Sequence, residues 1–301
     1  MLAMPRGYLG EAVRLSWTEP GSVHIHRQDG IKPGFGTLGL SSVERTSVDA
    51  RVDDKVALIT GGSRGIGEAL AAGFLASGAR GVVITGRHRE NLEAAALRLG
   101  NTDRVATVAA RSDTEDDAIV AVTVAIEQFG ACDILVNNAG TNPAIGSLVD
   151  VDLGAVDKTW AVNQRGPLIY ARAVWHAWMK DHGGVICNTA SVGGLRPAPM
   201  LGAYNISKAA LIFMTRQLAL ELAPGVRVVG VAPAVVRTRL SELLWKEDDG
   251  ASAAGTHPLG RIGEVDDVAN AVVFLCSEQA SWLTGTTLEV DGGVVNASRG
   301  V

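Results

Sequence analysis

The sequence predicts a single α/β domain, a doubly wound parallel sheet of about seven strands, preceded by an N-terminal extension. Three observations carry this. From residue 54 onward, short β-rich runs alternate with stretches whose apolar residues recur at helical spacing. The runs are nearly all apolar, as strands are when helices cover both faces of a sheet. The first run opens directly into a glycine-rich turn followed by an Ala-rich helical stretch. Strand and helix alternating with right-handed crossovers wind a sheet in both directions.

Residues 1–50 differ in kind from the rest. They are rich in Gly and Pro (Pro5, Pro20, Pro33, Gly34, Gly36, Gly39), mixed in charge and without sustained period. They lack the apolar core of a secretory signal, and Glu11 and Glu19 argue against an organellar presequence. The segment reads as a poorly ordered arm, or as the product of a start codon assigned too far upstream. His24 and His26 have no Cys or His partner nearby, which favours a solvated loop over a metal site. No metal ligand set is expected anywhere in the chain.

The domain over residues 51–301 carries the candidate strands 56–60, 82–85, 105–108, 134–137, 185–188, 226–231 and 287–290. Helical spacing is evident over 69–75 and 118–129. With 301 residues and 47% apolar composition, the chain is long and greasy enough to bury a core. The net charge of −5 gives no reason to expect nucleic acid or an anionic membrane as partner. Cys132, Cys187 and Cys276 are widely spaced without a CxxC pair, which reads as reduced thiols of a cytoplasmic protein. No apolar run approaches the roughly 18 residues of a membrane span.

The glycine turn Gly61-Gly62-Ser63-Arg64-Gly65-Ile66-Gly67 follows the first strand. Glycines there permit a tight turn and let the backbone approach a pyrophosphate, which rests on the helix N-terminus. The spacing is not GxGxxG, and glycine-rich turns also simply begin helices. Placement after the first strand of an α/β pattern favours a nucleotide cradle of the Rossmann type, with Gly61, Ser63, Arg64, Gly65, Ile66 and Gly67 as its contacts. The second strand ends at Gly86-Arg87, without the acidic residue that would bind adenosine ribose hydroxyls. Arg87 there, with Arg64 in the turn, suits a 2′-phosphate, so NADP(H) is favoured over NAD(H). A solvated Arg87 at a helix start is the plainer alternative.

Tyr204 and Lys208 stand four residues apart on one helical face that continues through Leu222, and Ser191 follows the fifth strand. A free phenol, with a pKa of about 10, is a poor base at neutral pH. A neighbouring ammonium and a cationic nicotinamide are expected to lower it, letting Tyr204 donate or accept a proton. Ser191 would hydrogen-bond the reacting oxygen. YxxxK alone is weak, but of the three tyrosines only Tyr204 has Lys four residues on. Asn163, between the fourth and fifth strands, reads on its own as an ordinary buried amide.

Taken together, these residues resemble the short-chain dehydrogenase/reductase family over about residues 53–293. Thr60 through Gly67 is similar to its cofactor turn, and Asn137-Asn138-Ala139-Gly140 to its fourth-strand motif. Asn163, Ser191, Tyr204 and Lys208 are similar to its catalytic tetrad. The resemblance implies that Asn163 holds a water in a proton relay, that Lys208 also binds the nicotinamide ribose, and that Tyr204 is the acid/base. It further implies cofactor contacts from Asn138, Ala139, Gly140 and Thr238, the last to the carboxamide. Trp282-Leu283-Thr284-Gly285 and Val290-Asp291-Gly292-Gly293 resemble the family's C-terminal signature.

The stretches from Asn138 to Pro143 and from Arg239 to Trp245 resemble 3-oxoacyl-[acyl carrier protein] reductases and related carbonyl reductases. Such enzymes are commonly tetramers with paired long helices, which implies a homotetramer or homodimer using the helix from Tyr204 to Leu222. Three departures stand out: Ala234 where the family usually has Gly, Arg111 where it often has an Asp that contacts adenine, and the N-terminal arm.

The expected activity is NADPH-dependent reduction of a ketone, or of a 3-oxoacyl thioester, to a secondary alcohol. Alternatives are an alcohol dehydrogenase running oxidatively on NAD(P)+, and a non-catalytic NADP-binding sensor. Residues 235–257 mix Leu240, Leu243, Leu244 and Trp245 with charge, and are expected to form a mobile lid over an apolar pocket.

Overall fold

In the computed structural model, residues 14–19, 22–26, 49–100 and 103–297 are described. Two units are distinguished. In the first, Met1–Ser47, the described residues form an antiparallel pair, β1 (Arg14–Glu19) and β2 (Ser22–His26). The remainder of the expected arm, and the side chains of His24 and His26, lie outside the described residues.

The second unit, Val48–Val301, is built on a seven-stranded sheet in the order β5-β4-β3-β6-β7-β8-β9, parallel throughout. Its strands are β3 (Val56–Ile59), β4 (Gly81–Gly86), β5 (Val105–Ala109), β6 (Ile134–Asn137), β7 (Gly184–Thr189), β8 (Val226–Pro233) and β9 (Thr287–Val290). All seven coincide with the apolar runs of the sequence. The largest difference is at β8, which runs on to Pro233 because Ala232 and Pro233 pair with β9.

The period of two along each strand divides the core. Ala57, Ile59, Val82, Ile84, Val136 and Val229 face α1 (Gly65–Ala76), α2 (Arg89–Leu99) and α9 (Val265–Cys276). Val56, Leu58, Val83, Leu135, Ile186 and Val228 face α3 (Glu115–Phe129), α5 (Gly166–Val174) and α7 (Gly202–Leu222). Cys132, Cys187 and Cys276 are all free and buried within these layers.

The sheet reverses direction between β3 and β6, and a crevice opens at such a switch point beyond the carboxyl ends of the strands. The chain there passes into α4 (Leu153–Trp160), a widened π-helical turn at Ala161–Arg165, and α5. A second π turn, Trp175–Met179, precedes α6 (Lys180–His182). Beyond β8 lie a 3-10 turn at Glu242–Leu244 and the short α8 (Ala251–Ala254), and α10 (Val294–Ala297) follows β9.

Candidate active site

A cleft of about 1160 Å³ occupies the switch point. Its floor is the turn between β3 and α1. Gly61 and Gly65 hold φ of +69° and +55°, a region that favours glycine. A side-chain carbon at Gly67 would run into the Gly61 carbonyl oxygen and the Asn138 amide. Thr60 fastens this turn to the end of β6: its Oγ1 accepts from the N–H groups of Asn138 and Ala139, each at 3.0 Å. Asn138 Nδ2 donates back to the Thr60 carbonyl at 3.0 Å.

Ser63, Arg64, Ile66, Arg87, Asn138, Ala139, Gly140, Tyr204, Lys208 and Thr238 line this cleft together with Gly61, Gly65 and Gly67. Arg64, in the glycine turn, and Arg87, after the end of β4, are exposed in its lining. Asp113, two residues after Arg111, is held by two cations: Arg111 donates to it through Nε and Nη2 at 3.1 Å, and Lys158 at 2.8 Å. These bonds, Arg111 first, hold its carboxyl well below the usual carboxylate range.

Of the four proton-handling candidates, two line the cleft, and Ser191 and Asn163 lie outside its lining. Tyr204 and Lys208 both line the cleft from α7. Ser191 caps the short turn Val192–Gly194, its Oγ accepting from Gly193 N–H at 3.1 Å. Its hydroxyl also favours the Tyr204 phenolate. Asn163 lies in the π turn with no solvent exposure, behind Gly140: a side-chain carbon at Gly140 would sit 3.7 Å from both Asn163 Oδ1 and Lys208 Nζ. Asn163 Oδ1 accepts from Thr141 N–H at 2.8 Å, while Nδ2 donates to the Thr141 carbonyl at 2.9 Å. Four residues on stands Pro167, which has no N–H, so the Asn163 carbonyl lacks its α-helical donor.

Burial sets the protonation chemistry. Lys208, 3% exposed, has its amine lowered to about 8 by desolvation, and its Nζ donates to the Thr189 carbonyl at 2.7 Å. The expected lowering of the Tyr204 phenol does not appear in the chain by itself. Burial raises it, and the Ser191 hydroxyl only opposes that rise. Lys208 Nζ stands 5.8 Å from the Tyr204 ring centroid and is directed at the Thr189 carbonyl.

The segment after β8 closes the third side. Ala234, at the departure from the glycine pattern, donates its N–H to the Val290 carbonyl at 3.3 Å and lines the cleft without left-handed backbone. Trp245 Nε1 donates to the Thr238 carbonyl at 3.1 Å, and the Arg237 guanidinium lies 5.0 Å from the Trp245 ring centroid. Arg237 in turn pairs with Asp249 and Glu264. Leu240, Leu243 and Leu244 line the cleft and remain half or more exposed.

Comparison with known proteins accords with this geometry. A family model described as enoyl-(acyl carrier protein) reductase matches residues 61–295. Dehydrogenase/reductase SDR family member 4 of Pongo abelii is 38% identical over 243 residues, 80% of this chain and 87% of that protein. The protein of the same name from Caenorhabditis elegans is 36% identical, covering 81% of this chain and 96% of that one. Among solved structures, a 3-ketoacyl-(acyl-carrier-protein) reductase from Brucella melitensis complexed with NADH is 38% identical, with a TM-score of 0.75 over 80% of this chain and 98% of that chain.

The chain belongs to the short-chain dehydrogenase/reductase family. It is an oxidoreductase of the carbonyl/alcohol class, and the family binds a nicotinamide cofactor. Short-chain dehydrogenases/reductases act on small molecules and are commonly oligomeric. Among the described residues, no helix is long and apolar enough to cross a membrane.

In this short-chain dehydrogenase/reductase, sequence reasoning missed several residues that hold the site. Asn137 Nδ2 donates to Asn188 Oδ1 at 2.9 Å, and Asn188 Nδ2 to Thr215 Oγ1 at 2.9 Å, tying β6, β7 and α7 together under the catalytic face. The parallel register pairs Asn137 with Asn188, and two asparagines ending adjacent apolar runs were the available signal. Ser207, between Tyr204 and Lys208, accepts from Asn163, and nothing in the YxxxK spacing points to it.

Proposed function

We propose that this chain is an NADPH-dependent reductase of ketones, with 3-oxoacyl thioesters as the substrate class to test first. The observation that carries it is one cleft lined by Tyr204 and Lys208 together with Arg64 and Arg87. The residues fit the cofactor. Positive-φ glycines open the turn, helix α1 presents its N-terminus, and the two guanidiniums suit a 2′-phosphate. When bound, the reduced nicotinamide supplies a hydride to the carbonyl carbon.

The chain's own groups manage the oxygen. Ser191 hydrogen-bonds the carbonyl oxygen, and Tyr204 gives it the phenolic proton. A phenol raised by burial is well protonated at neutral pH, the state a general acid needs. Lys208 steadies the phenolate left behind and holds the ribose. Asn163, Ser191, Tyr204 and Lys208 are the catalytic assignment. The Brucella ketoacyl reductase and the apolar lid residues Leu240, Leu243 and Leu244 support an acyl-bearing substrate.

We further assign residues 51–301 as the catalytic domain and the cytoplasm as its location. We assign a homotetramer joined through α7, whose Ile206, Phe213 and Leu220 are exposed. Consumption of NADPH with an acetoacetyl thioester, followed by nicotinamide absorbance, tests the reading. Rapid turnover that is abolished in Tyr204→Phe, with NADPH binding retained, is expected. Tight NADPH binding with no turnover of thioesters, free ketones, quinones or sugars would sink it, and a strong preference for NADH would overturn the cofactor assignment.

A further inference from the structure

We propose that Ser207 is a positioning residue of this site, locking the asparagine of the proton relay to the helix that bears the general acid. The proposal rests on the assignment of Asn163 and Tyr204 above.

Ser207 lies on α7, three residues after Tyr204 and one before Lys208, and has no solvent exposure. Its hydroxyl makes two bonds. Oγ donates to the Tyr204 carbonyl at 2.7 Å and accepts from Asn163 Nδ2 at 3.1 Å. A hydroxyl has one proton to give, and that proton is committed to Tyr204. Asn163 can therefore meet Ser207 only as a donor. The Thr141 main chain demands the same orientation: Nδ2 toward Ser207 and the Thr141 carbonyl, Oδ1 toward the Thr141 N–H.

The bond to Ser207 matters because it is the one that joins the amide to α7. Asn163 sits in a π turn, and Pro167 removes the i+4 donor to its carbonyl. Three side-chain bonds hold it, and they join three parts of the site: the loop after β6, the widened turn and α7. Removing the hydroxyl leaves a buried N–H of Asn163 without an acceptor, and the amide is then held by the Thr141 bonds alone, with no tie to α7. The main-chain ladder of α7, and so the Tyr204–Lys208 spacing, does not depend on it.

The experiment compares the full chain with Ser207→Ala, Ser207→Thr, Asn163→Ala and the Asn163→Ala/Ser207→Ala double variant. For Ser207→Ala, kcat is expected to fall about tenfold or more while the NADPH Kd and the substrate KM stay within about threefold. Ser207→Thr keeps a hydroxyl on the same carbon and restores most of kcat. Because Ser207 acts through Asn163, the double variant is no slower than Asn163→Ala alone. Hydrogen exchange of the Thr141 amide quickens in Ser207→Ala.

A kcat for Ser207→Ala within about twofold of the parent overturns the proposal, as do losses that simply add in the double variant. So does unchanged Thr141 exchange. A parent chain that turns over no carbonyl sinks the functional reading instead, and the exchange result still decides whether Ser207 holds Asn163.

Discussion

Lys208 Nζ donates a 2.7 Å hydrogen bond to the main-chain carbonyl of Thr189, at the end of β7. This ties the middle of α7 to the strand that leads to Ser191, at the expense of burying an amine whose pKa falls to about 8. Such a depressed amine destabilises the fold below its folded pKa, and the penalty fades as pH rises from about 8 toward the ordinary value of about 10.4. Lys208→Met should abolish turnover yet stabilise the fold at pH 7. Some of the gain is offset by the lost bond to Thr189, leaving roughly 1 kcal/mol. Calorimetry across pH checks this: the advantage over the parent should shrink between about pH 8 and 10, and a variant less stable throughout would contradict it.

Ser191 favours the Tyr204 phenolate, against the upward push of burial. In reduction Tyr204 works as the protonated phenol, so activity falls as pH rises through its pKa. Ser191→Ala removes the only lowering influence found and moves that alkaline limb to higher pH, besides reducing kcat by about 10²-fold. The pH profile of kcat in the reductive direction measures it. A limb that stays in place or moves to lower pH contradicts the assignment.

Arg87 stands exposed at the end of β4, where it follows Gly86. Arg87→Asp sets a carboxylate against a 2′-phosphate while leaving ribose hydroxyls an acceptor. KM for NADPH should rise about tenfold or more, with KM for NADH unchanged or lower. Initial rates with both cofactors decide it, and equal effects on the two would assign Arg87 to solvent.

Trp245 fastens the lid to Thr238 through Nε1 while its ring covers Arg237. Trp245→Phe keeps a ring and removes the donor. The expected result is a several-fold rise in KM for the carbonyl substrate, about 1 kcal/mol, with NADPH affinity little changed. Trp245→Ala, which also uncovers Arg237, should be worse. Steady-state kinetics of both variants test this, and a Phe variant indistinguishable from the parent would detach the latch from substrate binding.

The strands were legible because burial on both faces leaves an unbroken apolar run, as in Val56–Ile59 or Gly81–Gly86. The glycine turn was legible because positive φ and close approach restrict residue choice at Gly61, Gly65 and Gly67. Other features came only with the structure, since they depend on partners distant in the chain. Ser207 and Asn163 are 44 residues apart, and the two ends of the Asn137–Asn188 bond are 51 apart. The rise of the Tyr204 phenol in the chain by itself was not legible for a related reason, since it comes from burial. Spacing places Lys208 on the same face as Tyr204, but only the fold shows its ammonium turned to Thr189.

The three thiols, set in the two apolar layers beside the sheet, give the molecule an internal clock. Burial raises the Cys132 thiol far above its ordinary range, and the neighbouring Cys276, with burial, raises Cys187. Alkylating reagents attack thiolate, and here they must wait for the layers to part. The pace of labelling therefore reports how often the domain opens. Each thiol times a different region: Cys132 the entry to β6, Cys187 the middle of β7, and Cys276 the end of α9.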